Sequence, residues 1–223
     1  MYHTILFDLD GTITDPGIGI TEGVKFALRK QGIEPPEREK LYVFIGPPLR
    51  VSFEKYYGIT GPGFDQALHD YREYYLDKGI YEAELIPGVE ELLQKLKADG
   101  KTLIVATGKP QPMAEEVLRH FGVLPYFDFV AGPDLTETVN IKKSDAINYA
   151  LQQLGITDKS SCAMIGDRDN DIVGAKGAEV TAIGVLWGYG GREELQESGA
   201  DIIVETPEEL YKLLNDDGGE ECL

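Results

Sequence analysis

Basic side chains are scarce in this chain: 21 lysines and arginines stand against 39 aspartates and glutamates, a formal net charge of -18. Such a surface disfavours nucleic-acid phosphates and anionic membranes, so neither is expected as a partner. A local pocket can still differ in sign from the whole. Cysteine is nearly absent. Cys162 lies in an apolar run and Cys222 is next to last, which makes no disulfide framework and fits a reducing compartment. No apolar run is long enough to cross a bilayer, and no internal repeat is visible. The chain enters an apolar run at once, without a basic leader or a small-residue cleavage site. A cytoplasmic location is therefore the expectation.

What is there suits a folded protein. With 223 residues, 42% of them hydrophobic, the chain can build one large domain or a main domain with a smaller insert. Short apolar runs rich in β-branched residues read as buried strands: "TILF", "TLIVAT" (102–107), "FDFVAG" (127–132), "CAMIGD" (162–167) and "VTAIGVLW" (180–187). Amphipathic helices lie between them. "GVEELLQKLKADG" (88–100) places Val89, Leu92, Leu93 and Leu96 on one face and stops at Gly100, and "PMAEEVLRHFG" (112–122) stops in the same way. "SDAINYALQQLG" (144–155) is read as starting on a Ser144 cap. "DIIVE" and "PEELYKLLND" close the pattern, and "NDDGGEECL" reads as a frayed acidic tail. Strand and helix in alternation predict an α/β fold, a doubly wound parallel sheet with helices on both faces.

One region breaks the alternation. Between residues 16 and 85 no buried strand is legible and helical patterns dominate, separated by Pro and Gly. The expected organisation is an α/β core of residues 1–15 and 86–223 with a small helical cap, 16–85, inserted after the first strand. Tyr56, Tyr57, Tyr71, Tyr74, Tyr75 and Tyr81 gather in the insert. They either fill the core of a small helical bundle or line a pocket.

Ligands of such sheets bind beyond the carboxyl ends of the strands. The first strand ends in Asp8 and Asp10, the second in Thr107, the fourth in Asp167, followed by Asp169 and Asp171. Lys142 and Lys143 precede the helix that leads to the fourth strand. In isolation "DGT" is a turn, Thr107 a helix cap and "DRDND" a solvated acidic loop. Together at one sheet edge they form a crowd of carboxylates that needs a hard cation. Oxygen ligands without His or Cys suit Mg²⁺.

On these residues the chain resembles the haloacid dehalogenase superfamily of hydrolases over essentially its full length. The motifs are "DLDGT" (8–12), Thr107 with Gly108 and Lys109, a lysine in "KKSD", and "GDRDND" (166–171). The insert resembles the small helical cap of the phosphoglycolate phosphatase-like branch. The resemblance implies that Asp8 attacks phosphorus and forms an aspartyl-phosphate. It makes Asp10 the proton donor to the leaving alcohol and then the base for water. Mg²⁺ would be held by Asp8, the backbone carbonyl of Asp10 and Asp167, with Asp171 in support. Thr107 and Lys143 would hold the phosphoryl oxygens, with Lys142 as the alternative lysine. Gly108 and Lys109 would bind substrate. In the cap, "FIGPPLR" (44–50) matches a loop that faces the active site in similar proteins, so Gly46 and Arg50 are expected at the substrate.

The implied activity is Mg²⁺-dependent hydrolysis of a small phosphorylated metabolite by a monomer or homodimer. "GPPL" and "GVLWGYG" (184–190) resemble a subset described as phosphoglycolate phosphatases or 5′-nucleotidases. Asp10 argues against dehalogenation. None of Lys25, Lys30 or Lys40 is marked out as the cap lysine of a phosphonate hydrolase. A sugar phosphomutase of the β-phosphoglucomutase type shares all four motifs and stays open, as does a pyrophosphatase. A receiver-like phospho-aspartate switch has a similar pocket, but the insert and the first-strand position of the nucleophile count against it.

Overall fold

The computed structural model describes residues 1–135 and 142–215. The acidic tail beyond Asn215, with Cys222, lies outside the described residues. The strands are β1 (Thr4–Phe7), β2 (Thr14–Asp15), β3 (Glu84–Leu85), β4 (Thr102–Ala106), β5 (Phe129–Ala131), β6 (Cys162–Gly166), β7 (Thr181–Val185) and β8 (Ile202–Val204). The helices are α1 (Gly17–Lys30), α2 (Leu49–Tyr57), α3 (Gly61–Asp77), α4 (Val89–Ala98), α5 (Gln111–His120), α6 (Lys143–Gln153), α7 (Asp169–Gly177), α8 (Arg192–Glu197) and α9 (Pro207–Asn215). The chain folds into two compact units, residues 1–13 with 85–223 and residues 14–84.

The larger unit is built on one six-stranded sheet of order β5-β4-β1-β6-β7-β8, parallel throughout. Leu6 stands beside Ile104 on one side and Met164 on the other, and Met164 beside Ala182. This row packs against Ala146, Ile147, Ala150, Leu151, Ile172 and Ala175 of α6 and α7. The next row, Phe7, Val105, Ile165 and Ile183, turns to the opposite face, as successive strand residues must. Both rows are fully buried, which is why these strands read as continuous apolar runs rather than alternating ones. Helix α4 buries Val89, Leu92, Leu93 and Leu96, the stripe legible in the sequence. Helices α4, α5 and α6 each stop just short of a glycine with positive φ, Gly100, Gly122 and Gly155.

β1 is the switch point of the sheet. From it the chain order runs outward to β4 and β5 on one side and to β6, β7 and β8 on the other. Loops leaving β1 and β6 therefore diverge, and a crevice opens between the carboxyl ends of these two strands. Asp8, Thr107 and Asp167 are each the first residue past β1, β4 and β6.

The smaller unit packs α1 against α3. A β-carbon on Gly19 would lie 1.9 Å from the carbonyl oxygen of Gly79, so only glycine permits this approach. Tyr71 and Tyr75 are buried, with rings stacked at 5.2 Å. Tyr56 and Tyr81 are about half exposed. The tyrosine group is thus divided between core and surface.

The strands β2 and β3 pair with each other at the ends of the insert; β2 lies before residue 16 and β3 is not buried. At two residues each they are too short to carry an alternating pattern. Helix α6 starts at Lys143, not on a Ser144 cap. The Asp145 carboxylate accepts the Lys142 N–H at 3.2 Å, so the cap is Lys142 and the helix starts two residues earlier than expected. Among the described residues no helix is long and apolar enough to cross a membrane.

Candidate active site

Asp8 is almost fully buried at the end of β1. Lys143, the first residue of α6, points its ammonium between two carboxylates: Nζ is 2.7 Å from Asp8 Oδ1 and 2.8 Å from Asp171 Oδ1. It also donates to the carbonyl oxygen of Ala106 at 3.2 Å. Burial works against the charge of Lys143, but Asp171 and Asp8 outweigh it and hold the ammonium above the ordinary lysine range. Lys142, by contrast, is exposed. Asp8 Oδ1 and Asp171 Oδ1 are in ion-pair contact with Lys143, yet neither is the acceptor of a well-directed hydrogen bond.

Asp167 is fully buried. Its Oδ1 accepts from the Thr12 hydroxyl at 3.1 Å, and its Oδ2 accepts from the Tyr189 N–H at 2.7 Å. Burial, then Asp171 and Asp8, push its carboxyl well above the ordinary carboxylate range, against these two donors. Asp171 is raised in the same sense by burial and Asp8, with Lys143 and the Arg168 N–H opposing.

Glycines form the walls. A β-carbon on Gly11 (φ +93) would fall 2.3 Å from Asp167 Oδ2. One on Gly188 would fall 2.4 Å from Asp167 Cβ, and one on Gly190 1.9 Å from the Asp167 carbonyl oxygen. The backbone of residues 188–190 is thereby closed on Asp167.

On the β4 side, Thr107 Oγ1 accepts the Lys109 N–H at 3.2 Å. Lys109 Nζ reaches both oxygens of Asp10, at 2.6 and 2.5 Å. Asp8, Asp10, Thr107, Lys109, Lys143, Asp167 and Asp171 thus belong to the larger unit, as does Gly108, which is exposed. Gly46 and Arg50 belong to the smaller one. There Gly46 has φ +98, and the Arg50 guanidinium lies over the Phe64 ring at 4.1 Å with Asp65 at 3.9 Å.

The donor set fits a hard cation. One carboxylate oxygen from each of Asp8, Asp167 and Asp171 lies within 4.8 Å of the others. Four carboxylates, with Asp10, face two ammonium groups, and the surplus of two negative charges is what a divalent ion would balance. All donors are oxygen, the preference of Mg²⁺ over softer metals.

Sequence reasoning gave no role to Thr12, the Tyr189 N–H or the glycine wall; Gly11 and Thr12 lie within "DLDGT" and Gly188, Tyr189 and Gly190 within "GVLWGYG", stretches read only as family and subset marks.

A parallel α/β sheet with acids and lysines at its switch point is a Rossmann-like fold carrying a candidate cation and phosphate site. Residues 5–185 match the family described as haloacid dehalogenase-like hydrolase. A 5′-nucleotidase of Pseudomonas aeruginosa is 42% identical over 195 residues, covering 87% of each chain. The tyrosine-protein kinase PtkA of Mycobacterium tuberculosis is 32% identical over 212 residues, 94% of this chain and 72% of that one. The crystal structure of a predicted phosphatase from Clostridium acetobutylicum superimposes with a TM-score of 0.92 at 40% identity, covering 96% of this chain and 98% of that one. The chain belongs to the haloacid dehalogenase-like hydrolase family.

Proposed function

We propose that the protein is a Mg²⁺-dependent phosphomonoesterase that works through an aspartyl-phosphate on Asp8, acting on small soluble esters of the nucleoside 5′-monophosphate or phosphoglycolate type. The observation that carries this reading is the buried Lys143 ammonium bridging Asp8 and Asp171 beside Asp167. The 42% identity to a 5′-nucleotidase supports the nucleotide as the first substrate to try.

Asp8 attacks phosphorus; the new Asp8 O–P bond forms as the ester P–O bond breaks, and Asp10 gives its proton to the departing alcohol. Water then attacks the same phosphorus. It gives its proton to Asp10 as the Asp8 O–P bond breaks, and both groups return to their starting states. Thr107 and Lys143 orient the phosphoryl oxygens, and Lys143 offsets charge gathering there in the transition state. Asp8, the Asp10 carbonyl and Asp167, with Asp171 in support, would hold Mg²⁺, which would supply positive charge against the repulsion between carboxylate and phosphate ester.

The test is a panel of phosphoglycolate, nucleoside monophosphates, sugar phosphates and pyrophosphate, assayed with and without Mg²⁺. Free phosphate should appear only with Mg²⁺ and vanish in Asp8→Asn. Persistent Mg²⁺-dependent turnover by that variant overturns the nucleophile. The likeness to a tyrosine-protein kinase supports a second reading, in which the phosphoryl group passes to a hydroxyl acceptor other than water. Substrate consumed without stoichiometric free phosphate would favour it.

A further inference from the structure

The geometry points to Lys109 as a positioning residue for Asp10 rather than a ligand of the substrate phosphate. This inference rests on the phosphatase reading above. The resemblance assigns Lys109 to substrate, but its ammonium is spent on a carboxylate of the chain itself. Nζ lies 2.6 and 2.5 Å from the two oxygens of Asp10, and the two side chains are only 5% and 12% exposed.

The arm is fixed at its base. Pro110 follows, which biases Lys109 to an extended backbone. The Lys109 N–H is held by Thr107 Oγ1 at 3.2 Å. Behind it, a β-carbon on Gly132 would lie 2.4 Å from the Lys109 carbonyl oxygen, so the β5 loop closes on this backbone and leaves it little room to shift. From that base the side chain reaches Asp10, in a contact almost closed to solvent.

The contact has a chemical consequence. Asp10 must hand a proton to the leaving oxygen, so one of its oxygens has to face that atom. A single ammonium holding both oxygens fixes the plane of the carboxylate. Loosening at one oxygen then leaves the other tethered and the free one aimed. Lys109 therefore acts on the leaving-group side of the reaction through Asp10, and not on the phosphoryl group that all substrates share.

Leaving-group dependence separates these roles. The value kcat/KM reports only the steps through departure of the alcohol. An activated aryl ester, 4-nitrophenyl phosphate, loses its leaving group with little need of a proton; an alkyl ester needs Asp10. Lys109→Met should lower kcat/KM for the fastest alkyl ester of the panel at least about tenfold more than for 4-nitrophenyl phosphate. Both esters are measured on one preparation, so the ratio is independent of the folded fraction. Lys109→Arg, which keeps the charge, should restore part of the ratio. In an Asp10→Asn background the Lys109 substitution should no longer change it. Equal losses on both esters, or none, overturn the inference and leave the phosphatase reading intact. A wild type silent on both esters overturns the two together.

Discussion

Lys143 Nζ and Asp8 Oδ1 meet at 2.7 Å in the interior of the larger unit, so the proposed nucleophile is held by a group that is itself out of reach of water. Lys143→Met should abolish most phosphatase activity, by about 100-fold or more, because it removes charge where the transferring oxygens gather. It also leaves Asp8 and Asp171 buried without their cation, a loss of about 3–5 kcal/mol in stability. Steady-state kinetics and urea unfolding of the same preparation check both.

Thr12→Val keeps shape but deletes the hydroxyl that donates to Asp167 Oδ1 at 3.1 Å. Groups that orient a ligand carboxylate are worth about 10- to 100-fold in metal affinity. The Mg²⁺ concentration for half-activation should rise by about tenfold with little change in kcat at saturation. An unchanged Mg²⁺ requirement would detach Thr12 from the metal site.

Helices α6 and α7 offer an internally controlled pair. A β-carbon on Gly174 would lie 2.5 Å from Lys143 Cβ, whereas one on Gly177 would lie 3.2 Å from Ser144 Cβ. Either glycine to alanine gains up to about 1 kcal/mol of helix propensity. At Gly174 this is outweighed by overpacking of about 1–3 kcal/mol, and Lys143 must shift. Gly174→Ala should therefore lose activity and stability, while Gly177→Ala stays close to wild type in assay and melting temperature.

Mg²⁺ should raise the melting temperature, and by more at higher pH. Burial and neighbouring acids hold Asp167 and Asp171 above the ordinary value of 3.8. The folded state without metal thus binds protons more tightly than the unfolded one, and its stability falls as pH rises through that raised range. Mg²⁺ competes with those protons. Thermal shift across pH with and without Mg²⁺ reads the difference, and Asp167→Asn should remove most of it.

Much of this was legible in the sequence. Asp8, Thr107 and Asp167 were placed at strand ends because each follows an apolar run that only a buried parallel strand explains, and the sheet has them there. What escaped depends on direction rather than order. That Lys109 turns to Asp10 is a contact across 99 residues, and a contact at such range leaves no periodic trace. Gly188 and Gly190 stood only within the subset mark "GVLWGYG", since a glycine needed for space looks in sequence like one needed for a turn. The start of α6 at Lys143 turned on one carboxylate, Asp145, reaching back to the backbone.

The position of β1 has a consequence for assembly. It pairs with β4 through Thr4–Thr102 and with β6 through Thr4–Cys162, so both neighbours of the strand carrying the nucleophile come from much later in the chain. During synthesis each apolar edge must wait for its partner, the second until β6 has been made. Contacts so distant along the chain slow folding. A nascent fragment ending before Cys162 would own Asp8 and Asp10 yet leave one edge of β1 open and Asp167 unmade. Assembly of the acidic cluster and pairing of the second edge of β1 become, for this topology, nearly one event.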